Sequence, residues 1–239
     1  MTTSSERRYD LDWLRVLGVL LLIPFHVALI FVLDPYTIMY IRDKTNSHLL
    51  AEVTGFIHMW HMPMLFIISG YATAFALNIR TAKQYISERV FRLLLPLVFG
   101  ILTFLPFTIY LQHSDKLSPQ EGYAKFFQID FAHIDGMTGT FTPAHLWFIL
   151  YLFIFSLFGL PLFLWLRSEK RIIQKLANFM QKPVNLFLLA IPLVIASATG
   201  ILGAMNPLYY FLIFFYGFIF ANDSRFQTSI QKLTWIALA

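Results

Sequence analysis

Apolar residues fall in six long runs, at roughly 11–33, 55–79, 90–112, 145–166, 184–204 and 207–222, with short polar segments between them. Each run reaches or approaches the ~20 residues that a helix needs to cross a bilayer. Isolated strands cannot satisfy their backbone in lipid, so every run is a predicted helix. A seventh run opens at Leu233 and stops at Ala239, too short to span. The predicted fold is all-α: a polytopic transmembrane helix bundle, six complete spans plus the start of a seventh. It forms one membrane-embedded domain over 1–239, expected to be incomplete at its C-terminal side. No internal repeat is visible.

Arg7 and Arg8 precede the first run, as in a secretory signal peptide. The run is too long for a signal h-region and lacks a small-residue cleavage site, so it reads as a retained first span. The connection 113–144 holds Ser118-Pro119-Gln120-Glu121, a helix start with Pro at the first helical position. Tyr123, Phe126, Phe127 and Phe131 follow, which predicts a short interfacial helix on the outer surface. The alternative is an ordered loop with no role.

Composition agrees with a membrane protein. Hydrophobic residues make up 58% of the chain and charged residues 13%, against about 25% charged in soluble domains. The net charge of +5 does not point to nucleic acid, because the basic residues sit in short clusters between apolar runs. With the N-terminus inside and the spans alternating, 14 Lys and Arg fall on inner segments and 4 on outer ones, which accounts for all 18. The N-terminus is therefore expected in the cytoplasm. Cysteine is absent, which excludes disulfides, a thiolate nucleophile and thiolate metal sites.

Ionisable groups within spans are costly and mark candidate function. The first run contains Asp12, Arg15 and His26. Asp12 and Arg15 are i,i+3 neighbours that can pair, or Arg15 can simply snorkel. His26 lies about 16 Å along the helix from Arg15 and returns to nearly the same face. One stripe then carries a basic group near the inner boundary and an imidazole deep in the bilayer. His26 is either a hydrogen-bonded packing residue or a group that accepts a proton or attacks an acyl carbon.

The other polar positions admit two readings as well. His58 and His61 are i,i+3, but no acidic cluster joins them as further metal ligands. No metal site is expected. Ser69 and Gly70 suit close helix packing. Arg89 and Arg92 open the third run at i,i+3, close to Arg80 and Lys83. They are either positive-inside residues or a cytoplasmic phosphate site. His145 and Trp147 open the fourth run, where an interfacial aromatic belt would place them.

Together these segments resemble the membrane acyltransferase-3 family, most closely its glucan biosynthesis protein C branch. Leu11-Asp12-x-x-Arg15 followed by Ile23-Pro24-Phe25-His26 matches the family's Arg-x10-His pattern. Phe56-Ile57-His58, Phe66-Ile67-Ile68-Ser69-Gly70-Tyr71, Arg89-x-x-Arg92 with Pro96, and His145-Leu146-Trp147-Phe148 follow in the family's order. The resemblance covers about 7–222. Family members carry more spans than this chain supplies.

The resemblance implies transfer of an acyl group, acetyl or succinyl, from cytoplasmic acyl-coenzyme A to a hydroxyl of an extracytoplasmic glycan. His26 matches the family's essential histidine, while Arg15, Arg89 and Arg92 match donor-binding arginines. Asp12, His58, Ser69, His145 and Trp147 are expected in supporting or acceptor-side positions. Acyl-coenzyme A is the expected donor substrate, with no bound cofactor. The expected partners are that donor, a periplasmic or cell-surface glycan and the lipid bilayer, without nucleic acid. The expected location is the bacterial cytoplasmic membrane. Rival readings are a transporter or flippase that uses the same polar stripe, and an inactive truncated family member.

Overall fold

A computed structural model describes residues 8–32, 43–112, 118–127 and 143–237. Among the described residues the chain is all-helical, with no strand. The first span is α1 (Tyr9–Leu29), with Asp10 and Asp12 in its first turn, where carboxylates favour the positive end of the helix dipole. α2 (His48–Ile79) is longer than its apolar run. Ser47 caps its start by accepting the Leu50 N–H at 3.3 Å, so a polar turn extends the helix beyond the hydrophobic stretch.

The third run likewise starts early. α3 (Ala82–Arg89) opens on a capping box in which Thr81 and Gln84 satisfy each other's backbone N–H. A π-helical turn, Val90–Leu94, joins it to α4 (Leu95–Gln112). The connection after α4 contains α5 (Pro119–Phe126), the expected short helix. Ser118 and Glu121 form its reciprocal cap. The fully buried Phe126 ring packs beside Leu105, and the Tyr123 hydroxyl donates to the Leu102 carbonyl at 2.9 Å. The expected role of Phe131 lies outside the described residues.

The later runs are less regular than their hydropathy suggests. The fourth is split into α6 (Trp147–Phe158) and α7 (Leu160–Ser168), bent by 48° at Gly159. Pro161 cannot donate to the helical ladder, and a Cβ on Gly159 would lie 2.6 Å from the Phe155 carbonyl oxygen. The fifth run is a 3-10 stretch, Pro183–Leu189, leading into α9 (Ala190–Ala198). It follows α8 (Lys170–Met180), which buries Ile173, Ala177 and Met180 on one face. The sixth run is α10 (Pro207–Ala221), 15 residues long, short of the ~20 of a full span. Leu233 belongs to α11 (Ser224–Ala237), a helix that begins in polar sequence rather than as a separate apolar run. Among the described residues three helices are long and apolar enough to cross a membrane, or up to five if each bent pair counts as one span.

Contacts fix the helix directions. Along α1, Gly18 lies against Leu65 and Phe25 against His58, so α1 and α2 are antiparallel. Phe66 meets Tyr210, and further along Gly70 abuts Phe214 and Phe218, so α2 and α10 are parallel. α6–α7 runs the same way, with Trp147 on Tyr210 and Phe163 on Phe218. Phe66, Trp147, Phe155, Phe163, Tyr210 and Phe214 form an aromatic core between these three. α1 and α4 stand outside it with apolar faces exposed, among them Trp13, Leu17, Ile23, Phe99 and Phe107. In lipid such faces carry no penalty.

Candidate functional site

This arrangement gives the bundle two chemically different ends. One gathers the last turn of α1, the first half of α2 and the start of α6, and carries histidines. The other gathers the end of α2, the end of α7 and the junction of α10 with α11, and carries arginines.

At the histidine end, His26 lies in the last turn of α1 and is half-buried. Its Nδ1 lies 2.8 Å from the Leu22 carbonyl oxygen one turn earlier. A carbonyl only accepts, so Nδ1 carries the proton and Nε2 holds the free lone pair. The His145 ring stands edge-on to His26, with centroids 6.3 Å apart. Phe25 packs edge-on to His26 at 5.4 Å and parallel to His58 at 6.3 Å. Phe25 thus lies among histidines of α1 and α2, and His145 joins the group through His26.

His145 sits in a 3-10 turn, Ala144–Leu146, which leads into α6. Ala144 is buried there in the left-handed region, with φ of 41°. Strain of this kind in a non-glycine residue persists only where surrounding packing holds it. Leu105 and Phe126 supply that packing, in one buried cluster with Ala144, while Trp147 is buried against Phe66, Tyr151 and Tyr210. Its ring is part of the core, not of an open face where a sugar could stack. Ser69 turns its hydroxyl back to the Leu65 carbonyl of its own helix at 2.8 Å.

His61 was visible in the sequence only as a neighbour of His58. It is 1% exposed, and its Nε2 donates to the Gly18 carbonyl oxygen at 2.7 Å, tying α2 to α1. Among the described residues no group of three or more His, Asp or Glu side chains could hold a metal ion.

At the other end, most arginine charge is already met. Arg8 grips the Asp10 carboxylate at 2.6 Å, Arg80 pairs with Glu88 at 2.6 Å and Arg225 with Asp223 at 2.5 Å. The Arg8–Asp10 and Arg225–Asp223 bonds raise the pKa of both guanidiniums above the ordinary arginine value. Arg167 donates to the Leu77 carbonyl at the end of α2. Nearer mid-helix, Arg15 pairs with Asp12 at 3.1 Å, the i,i+3 contact that the spacing allowed.

Arg89 differs. Its guanidinium lies over the Tyr85 ring, 4.6 Å from the centroid, and its buried Nε has no hydrogen-bond partner among the described residues. Arg92 is exposed and lies inside the π-turn. There the i→i+5 ladder replaces the α-helical repeat. Tyr85 escaped the sequence reading, although its i,i+4 spacing to Arg89 was a usable signal.

Apolar helices of spanning length around these polar ends make the chain an integral membrane protein. Residues 8–239 match the family model described as an acyltransferase domain, and the chain belongs to this acyltransferase-3 family. Its relatives include the glucans biosynthesis protein C of Salmonella paratyphi B, Salmonella heidelberg and Salmonella enteritidis. Each is 29% identical over 174 residues, covering 71% of this chain and 42% of the relative. The chain thus spans less than half the length of the curated relatives it matches. No solved structure matches it.

Proposed function

We propose that this chain provides the histidine and arginine ends of a membrane O-acyltransferase. It moves an acetyl or succinyl group from cytoplasmic acyl-coenzyme A to a hydroxyl of an extracytoplasmic glycan. The reading takes the N-terminus as cytoplasmic, six membrane crossings and the bacterial inner membrane as the location. The donor's phosphates meet Arg89 and Arg92, with Arg15 further along the path, and the flexible pantetheine arm carries the thioester toward His26. Asp12 holds Arg15, while His58 and His145 border the acceptor. Trp147 and Ser69 support from within the helices.

The observation that carries the reading is the tautomer of His26. With Nδ1–H bound to Leu22, Nε2 is free to take a proton. As the acceptor oxygen attacks the thioester carbonyl, Nε2 takes the hydroxyl proton. The C–S bond then breaks, and the leaving thiolate recovers that proton, giving ester and free thiol. In a two-step variant Nε2 itself attacks the thioester and expels the thiolate. The acceptor hydroxyl then displaces the acyl group from Nε2 and gives its proton to the thiolate, leaving ester, free thiol and neutral imidazole. Both routes use the same atom.

The test is transfer from labelled acyl-coenzyme A by the longest natural form of the protein in sealed vesicles. Label in an ester on the glycan, lost in His26→Ala, supports the reading. Label crossing the membrane without ester formation would instead make the protein a transporter.

A further inference from the structure

We infer that Tyr85 is a positioning residue that holds Arg89 ready for the anionic donor. The inference rests on the donor reading above. Tyr85 is 1% exposed, midway along an eight-residue helix pinned at several points. Its hydroxyl lies 3.2 Å from the Oγ1 of Thr73, which is fully buried in α2. Thr81 and Gln84 cap the start of α3, and Arg80 folds back onto Glu88. The π-turn begins immediately after Arg89. The phenol ring is therefore fixed from both sides, and Arg89 rests on its face at 4.6 Å.

The choice of a ring rather than a carboxylate has a chemical consequence. A carboxylate bound to a guanidinium occupies the fork that would grip a phosphate, as Asp10 does on Arg8. An aromatic face attracts the cation without taking its hydrogen bonds. The planar guanidinium keeps its charge and its donors for an incoming phosphate while losing rotational freedom in advance. Arg15, Arg80 and Arg225 are each matched to a carboxylate instead. Tyr85 thus marks Arg89 as a pre-positioned arginine at this end, and Thr73 anchors the ring's hydroxyl.

The test uses the longest natural form of the protein and varies the ring without emptying its site. Tyr85→Phe keeps the face, and fluorinated phenylalanines at the same position weaken its negative potential at nearly constant volume. The Michaelis constant for acyl-coenzyme A should rise stepwise with fluorination, to about tenfold, a size typical of a cation–π contact. The turnover number and the acceptor's Michaelis constant should stay near those of the parent. Calorimetric binding of coenzyme A alone should weaken in the same order. A flat fluorination series while Arg89→Ala impairs donor use would overturn the role of Tyr85 and leave the donor reading standing. Unchanged donor saturation in Arg89→Ala would overturn both.

Discussion

Gly70 on α2 and Gly217 on α10 let the two helix backbones touch. A Cβ on Gly70 would lie 2.0 Å from the Phe214 carbonyl oxygen, and one on Gly217 would lie 2.1 Å from that of Ile67. Backbone cannot move aside as a side-chain tip can. Either glycine changed to alanine should therefore push the helices apart and disturb the aromatic core beside them. Over-packing typically costs ~1–3 kcal/mol, and these sites should lie at or above the upper end. Thermal unfolding in detergent checks this, with Gly55→Ala as the control, since nothing lies within 4 Å of a Cβ there.

Two histidines in ring contact with Phe25, His26 and His61, should respond in opposite ways. His26→Ala should leave folding intact and reduce transfer by about 10²–10⁴-fold, the usual worth of acid–base help. His61→Ala should lower stability by about 1–3 kcal/mol through loss of the buried bond to Gly18. The protein that still folds should keep near-normal specific activity. Comparing yield with specific activity separates the two. A well-expressed His26→Ala variant that acylates at the parent rate would remove His26 from the chemistry.

Hydropathy revealed the helices because lipid-facing residues are apolar whichever helix carries them. It did not reveal their breaks. Run four reads as continuous, yet Gly159 with Pro161 interrupts its ladder inside an apolar stretch, and run five opens behind Pro183 as a 3-10 stretch rather than an α-helix. α8 escaped because its charges hid the Ile173, Ala177 and Met180 stripe, although the i, i+4, i+7 spacing was present. The candidate histidines were legible one at a time. Their gathering, His58 and His61 on Phe25 and His145 on His26, depends on α1 and α2 being antiparallel and on where α6 begins, which are long-range facts. The π-turn at Val90–Leu94 has no sequence mark, so spacing alone does not tell how Arg89 and Arg92 are turned relative to each other.

Acid should loosen the junction of α10 and α11. Arg225 donates to the Asp223 carboxylate and holds its pKa below the ordinary range. A depressed carboxylate pKa adds stability that is complete above the unfolded value, about 3.9, and is lost as pH falls through the folded value. Arg225 also reaches Asn178 on α8, so the loss should appear in the packing of α8 against α11. The effect should be small, up to about 1 kcal/mol, because the pair is partly solvated. Limited proteolysis after Arg225 should accelerate below about pH 4 in the parent. In Asp223→Asn the same cleavage should already be fast at pH 7 and nearly independent of acid.

Orientation in the membrane can be read directly, because the natural chain contains no cysteine. Lys170 opens α8 beside the arginine end, and Gln120 lies in α5 after the long fourth helix; both are exposed. The excess of basic residues on alternate segments predicts Lys170 in the cytoplasm and Gln120 outside. Gln120 takes no part in the cap formed by Ser118 and Glu121, so Gln120→Cys should leave α5 intact. An impermeant maleimide added to intact cells should label Gln120→Cys at once. It should label Lys170→Cys only after permeabilisation. The reverse pattern would turn the arginine end outward, away from any cytoplasmic thioester. The donor would then have no route to Arg89, and the proposed direction of transfer would fail with it.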